Sequence, residues 1–120
     1  DRISIHLRGV ILEIKFKDKK LRELCEKKAI AVKKLGDVSA RKLQTRLADM
    51  AAASRVTDLM TGNPHPLKGD RRGQFALDLS GGWRLVFAPA NDPVPRREDA
   101  SVDWSAVTIV CIEYIGDYHD

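Results

Sequence analysis

The chain has 120 residues, of which 43% are hydrophobic and 32% charged, with a net charge of +4. That is the composition of one ordinary globular domain, long enough to bury roughly two thirds of its unfolded surface. Disordered and membrane-spanning classes are excluded, because the longest strongly apolar stretch, Val107 to Ile112, cannot cross a bilayer. Glu13 cuts Val10-Ile11-Leu12 short of a signal-peptide core, so a cytoplasmic location is expected.

Charge is unevenly spread: residues 1–72 carry 18 Lys and Arg against 9 Asp and Glu, whereas residues 73–120 carry 3 against 8. A basic first part fits a polyanion or an acidic protein as partner, and equally a set of solvated helical faces. The two cysteines, Cys25 and Cys111, lie in apolar patterns where a free thiol acts as a small hydrophobe, and their spacing indicates neither zinc nor a disulfide framework.

Residues 1–9 begin without Met and show no period; they are expected to be a leader or a fraying arm and carry no site argument. Ile11, Leu12, Ile14 and Phe16 predict a first strand. Asp18 caps a predicted helix over 18–35, with Leu21, Leu24, Cys25, Val32 and Leu35 as its apolar positions and Gly36 as its stop. Asp37 or Ser39 caps a second helix, ending near Ser54. Its stripe is Ala40, Leu43, Leu47, Met50 and Ala51, and Arg41, Lys42 and Arg46 turn outward. A turn through Val56, Leu59 and Met60 leads into Thr61-Gly62-Asn63-Pro64, where regular structure stops.

The segment from His65 to Phe75 reads as an irregular, Gly- and Pro-punctuated loop. From Gln74 the period becomes two: Phe75, Leu77 and Leu79, a turn at Ser80-Gly81-Gly82, then Trp83, Leu85 and Phe87 on the partner strand. Residues 89–106, with three prolines among charges, predict a long, exposed, mobile excursion outside the site, pinned back by Trp104. Its Arg96 and Arg97 are followed by Glu98 and Asp99, which cancels most of their long-range attraction. Val107 to Ile115 predicts a central strand covered on both faces. The expected order is βααβββ, in a single α+β domain over 1–120.

Two segments carry chemistry. His65-Pro66-Leu67-Lys68-Gly69-Asp70-Arg71-Arg72-Gly73 combines an imidazole with cations, and Asp117-Tyr118-His119 ends the apolar run with a carboxylate, an aromatic ring and a second imidazole. Metal-free RNA cleavage needs a base for the 2′-hydroxyl, an acid for the leaving oxygen and cations facing the phosphorane. His65 and His119 have the residue type for acid and base. Lys68, Arg71, Arg72 and Arg84 can meet phosphate. Duller readings stand beside these: His65 bonding its own turn, Lys68 and Arg71 as solvated charges, Arg84 paired with Asp78 or Glu113, Tyr118 closing the sheet, Asp117 merely finishing the strand. A metal site from Asp117, His119 and His65 lacks any recognised ligand spacing, so no metal and no cofactor is expected.

With these motifs in order, then Leu79-Ser80-Gly81-Gly82-Trp83-Arg84-Leu85 between them, residues 10–120 resemble a HigB-type killer toxin of the RelE/ParE superfamily, the toxin half of a type II toxin–antitoxin pair. The resemblance implies a RelE-like α+β fold, two helices on a mostly antiparallel sheet, and a ribosome-dependent, metal-independent mRNA endoribonuclease that inhibits translation. It implies His65, Lys68, Arg84, Asp117, Tyr118 and His119 as catalytic residues. The ribosome and mRNA would be partners, as would a helix-turn-helix, HigA-like antitoxin, and no membrane is involved. From the residues themselves, Arg71, Arg72, Lys42 and Arg46 are candidates for RNA or ribosome contact. The hairpin has Ser80-Gly81-Gly82 where relatives often place Asn before the aromatic, and the excursion is longer than in compact members. The superfamily also contains ParE-like gyrase poisons without nuclease chemistry, and a protein-binding module remains a further reading.

Overall fold

The computed structural model describes residues 11–117. Its elements are β1 (Glu13–Phe16), α1 (Lys19–Glu26), α2 (Lys28–Leu35), α3 (Asp37–Ala52), β2 (His65–Pro66), β3 (Phe75–Asp78), β4 (Arg84–Pro89) and β5 (Ile109–Gly116). The sheet order is β1-β5-β4-β3-β2, antiparallel except for the β1–β5 pair. The expected α+β arrangement of helices on a mostly antiparallel sheet therefore holds. Among the described residues no helix is long and apolar enough to cross a membrane.

The first predicted helix is two. Asp18 caps it as expected, its Oδ1 accepting from the Leu21 amide at 2.9 Å, but Lys27 takes extended backbone between α1 and α2. One continuous helix would set Lys28 into the stripe of Leu24 and Cys25, one turn on. The break re-phases the chain so that Ala31 is buried, Ile30 half-buried and Lys28 exposed. The Cys25 carbonyl at the break accepts from Gln44 Nε2 of α3 at 2.9 Å.

Neither Asp37 nor Ser39 caps α3. Gly36 holds the cap position at φ 84°, and Asp37 lies inside the first turn. Ser39 is buried, its hydroxyl 2.6 Å from that of Ser80, so it ties α3 to the hairpin turn between β3 and β4. The stripe buries Ala40, Leu43 and Met50, while Ala51 is exposed. These side chains meet Phe75, Leu77, Leu85, Phe87, Val110 and Ile112 in one core on one face of the sheet.

One further expectation changes, and the pinning of the excursion by Trp104 is met. β5 is central, but it is not covered on both faces: Val110 and Ile112 are buried and Ile109 and Cys111 only partly so, because the helices lie on one side. The 89–106 excursion folds back on the molecule. Asn91 Oδ1 accepts from the Thr108 and Ile109 amides, each at 3.0 Å, closing its base. Arg96 pairs with Val102 as an antiparallel bridge, Val102 is buried, and Trp104 sits edge-on to Phe75 and Phe87 with centroids 4.9 and 6.0 Å away.

Cys25, 5% exposed, has its thiol pushed up from 9.0 to about 12, by burial first and by the Glu26 carboxylate second. The unfolded chain releases this proton near 9.0 while the folded chain retains it to about 12. The stability supplied by the neutral thiol is therefore whole below pH 9 and is lost between pH 9 and 12, at about 1.4 kcal/mol per pH unit at most. Urea titrations at pH 9 and pH 11 should show wild type losing about 2 kcal/mol more than Cys25→Ala over that interval. Equal losses would show that the thiol is not held neutral.

Candidate functional site

The sheet face away from the helices carries the candidate chemistry. Strand alternation sends Ala76 and Asp78 of β3, and Arg84 and Val86 of β4, to that face, opposite to the buried Leu77, Leu85 and Phe87. The register shifts between Val86 and Phe87, so Phe87 pairs with Ile112 but Val86 with Tyr114. One extra residue of β5 is thereby absorbed, and Tyr114 turns to the open face while Ile112 stays in the core.

His65 belongs to this face too. The loop expected from His65 onward begins as a short edge strand, with His65 opposite Ala76. Cross-strand pairing then runs His65–Ala76–Val86–Tyr114 over four strands, roughly 14 Å at ~4.8 Å per strand. Leu67 is buried against Ala76 and Val86, with Tyr114 beside them, so the β2–β3 loop lies over the open face. Lys68 follows that anchor and is exposed, as is Arg72. Arg71 reaches across, its guanidinium carbon 4.5 Å from the Tyr114 ring centroid and its Nη1 donating to Gln74 Oε1 at 3.0 Å.

A polar chain links the imidazole to the second cation. His65 Nδ1 is 2.7 Å from the Asn63 carbonyl oxygen. A carbonyl can only accept, so Nδ1 bears a proton, and in the neutral ring the lone pair is the one on Nε2. Asn63 Nδ2 donates to Asp78 Oδ2 at 3.3 Å, and Asp78 Oδ1 pairs with Arg84 Nε at 3.4 Å. The duller reading of Arg84, an ion pair with Asp78, is thus realised. The contact is ionic rather than a hydrogen bond: neither Asp78 Oδ1 nor Arg84 Nη1, both buried, has a hydrogen-bond partner among the described residues.

Arg84 pairs with Gly116 at the end of β5, and exposed Asp117 follows directly. The structure thus places His65, Lys68, Arg71, Arg72, Arg84 and the start of the Asp117 segment on or beside one face. Tyr118 and His119 lie outside the described residues. Lys42 is not brought there: it is exposed on α3, in the helical layer. Arg46 does not turn outward. It is half-buried, and its Nε donates to the Asp78 carbonyl at 3.0 Å, where it packs so closely on Gly62 that a Cβ there would collide with it. Arg46 is a brace for the turn that carries Asn63.

Asn63 and Tyr114 escaped the sequence reading. Asn63 stands at φ 50°, a left-handed conformation that Asn tolerates, and its place two residues before His65 was the available signal. Tyr114 had none, since its facing depends on the register shift. Among the described residues no group of three or more His, Cys, Asp or Glu is arranged to hold a metal ion.

A chain of the YoeB-YefM complex from Staphylococcus aureus has a similar fold, with a TM-score of 0.53 and 16% identity over 91% of this chain and 98% of that one. No protein-family model matches the chain, and no curated protein matches it.

Removing the ring under Arg71 should loosen the β2–β3 loop. A cation–π contact is worth roughly 0.5–2 kcal/mol, so Tyr114→Ala should speed amide exchange across 67–74 by about 2- to 30-fold with β3 and β4 still protected. Tyr114→Phe should leave the loop as it is. Unchanged exchange in Tyr114→Ala would show that Leu67 alone seats the loop.

Proposed function

We propose that the chain is the toxin of a type II toxin–antitoxin pair and that it cleaves mRNA on the ribosome without a metal. The observation that carries this reading is His65, whose proton is fixed at Nδ1 on an open sheet face, in a polar chain that ends at Arg84. The likeness in fold to a chain of a YoeB-YefM complex supports it, and so do the three motifs that resemble a HigB-type toxin.

In this mechanism the 2′-oxygen attacks phosphorus as its proton leaves to a base. The P–O5′ bond breaks as an acid protonates the departing oxygen, and a 2′,3′-cyclic phosphate and a 5′-hydroxyl result. His65, through Nε2, takes one of the two proton roles; His119 or Asp117 takes the other. Lys68 and Arg84 face the phosphorane, where positive charge counts most because negative charge grows in the transition state. Asp78 already neutralises part of the Arg84 charge and Nη1 is buried, so Arg84 acts chiefly as a directed donor through the part of its guanidinium that stays accessible. Tyr118 stacks on a base.

His65→Gln and His119→Gln should each lower cleavage of mRNA on translating ribosomes by roughly 10²- to 10⁴-fold. Wild-type rates in either variant would remove that residue from the mechanism, and activity lost on adding EDTA would overturn the metal-free claim. Intact mRNA together with DNA breaks in the presence of gyrase would instead favour a ParE-like poison.

An antitoxin is part of the proposal. Exposed Arg41 and Lys42 on α3, with the lysines of α1, offer a basic surface to an acidic strand or helix. Co-expression with the product of the adjacent gene should give a stable complex. Recovery of free protein only, at concentrations well above micromolar, would count against a partner of that kind.

A further inference from the structure

A cleft of about 890 Å³ lies between the 89–106 excursion and the β2–β3 loop, within the range of about 300–1,000 Å³ usual for small-molecule sites. Its walls are of two kinds. Phe75, Val94, Val102 and Trp104 supply an apolar, partly aromatic side; Arg72 from one loop and Arg96 and Arg97 from the other supply cations. Arg96 is held in place, its Nη1 donating to the Ala100 carbonyl at 2.9 Å.

The cancellation expected from Glu98 and Asp99 is only half present in three dimensions. Asp99 lines the cleft and Glu98 does not. The Asp99 carboxylate accepts from the Ser101 hydroxyl at 2.6 Å and the Ser101 amide at 3.0 Å. These bonds hold it below its usual range, so it stays ionised and counts as one full negative charge. Three arginines against one carboxylate leave the cleft net positive.

Aromatic surface edged by cations is the arrangement that binds single-stranded nucleic acid, bases on the ring and phosphates on the guanidiniums. Pro66 and Leu67 line the cleft; Pro66 pairs with Phe75 and so turns to the face opposite His65, which makes this edge strand the boundary between the cleft and the open face. We infer that this cleft, whose aromatic wall lies on the sheet face opposite His65, holds a nucleotide of single-stranded RNA as the strand passes round the β2 edge, with its base against Trp104 and its phosphates on Arg72, Arg96 and Arg97. The inference rests on the proposed nuclease reading and adds a second RNA subsite to it, and it makes the excursion part of the substrate surface.

The probe is a fluorescein-labelled, 2′-O-methyl single-stranded RNA of about ten nucleotides, which binds but lacks the attacking hydroxyl. Anisotropy titrations on the whole chain would compare Arg96→Ala/Arg97→Ala with Lys33→Ala/Lys34→Ala, which removes the same charge from exposed positions of α2. The first pair should weaken binding about tenfold at low salt and flatten the log–log salt slope by roughly 1.4, at ~0.7 per phosphate contact on a single strand. The second should change affinity less than twofold. In a Trp83→Phe background Trp104 is the one remaining tryptophan, and its fluorescence should be quenched as the probe binds.

Equal weakening by both pairs, or an unquenched Trp104, would overturn the inference. So would competition by a polyglutamate peptide at the same charge concentration as strong as by unlabelled probe, since the cleft would then be an acidic-protein site. The readout is binding without chemistry. Loss of binding in Arg96→Ala/Arg97→Ala beside an inactive wild type would retain the cleft and reject the nuclease; normal binding beside a His65-dependent cleavage would do the reverse.

Discussion

The register shift between β4 and β5 sets most of the site. β5 pairs with β1 on one side and β4 on the other, so its side-chain phase is imposed on both halves of the sheet. A strand in strict alternation would send Ile112 and Tyr114 to the same face. With the shift, Ile112 stays with Phe87 in the core and Tyr114 moves to Val86 on the open face. Gly116 follows from that placement: a Cβ there would strike the Tyr114 hydroxyl, so the ring can lie along the strand end only because this position has none. Arg71 then finds an aromatic face, and the loop carrying Lys68 and Arg72 is seated over the sheet.

The polar chain from His65 to Arg84 matters for direction more than for stability. Its ion pair is partly exposed, with side chains 21% and 37% accessible, and pairs of that kind contribute only about 0–1 kcal/mol. What the chain does is remove choices. The imidazole has one tautomer, Asp78 divides its two oxygens between Asn63 and Arg84, and the Asn63 turn is itself held by Arg46 from the far layer. A helix on one face of the sheet thereby positions a side chain on the other, by way of the edge at Asp78.

The parts of this architecture legible in the sequence are those set by local pattern. Period-two runs marked β3 and β4, Asp18 marked a helix start and Gly36 a stop. The Asp78–Arg84 pair could be anticipated because the two flank a short hairpin. Features that depend on partners distant in the chain were hidden. The break at Lys27 answers the packing of α2 on the core rather than any Pro or Gly. Ser39 looked like a cap and is spent on Ser80, 41 residues away. His65 read as loop because two residues are too few to show a period, and pairing with β3 alone makes them a strand. Arg46 fits an outward face of α3 by periodicity, yet a long side chain can turn back to the part-buried Asp78 carbonyl.

The excursion shows why charge sequence and charge geometry differ. Along the chain Arg96, Arg97, Glu98 and Asp99 sum to nothing. Once Arg96 bridges to Val102 and Ser101 binds the Asp99 carboxylate, their positions are fixed by backbone pairing rather than by mutual attraction. Glu98 falls outside the cleft that the other three line. A ligand held within a few ångströms of that wall meets first the field of the residues that line it. The edge-on packing of Trp104 on Phe75 and Phe87 sets this geometry, because it ties the excursion to the same core residues that position β3 and β4. The backbone that carries the cationic wall is therefore placed by the same core that positions β3 and β4.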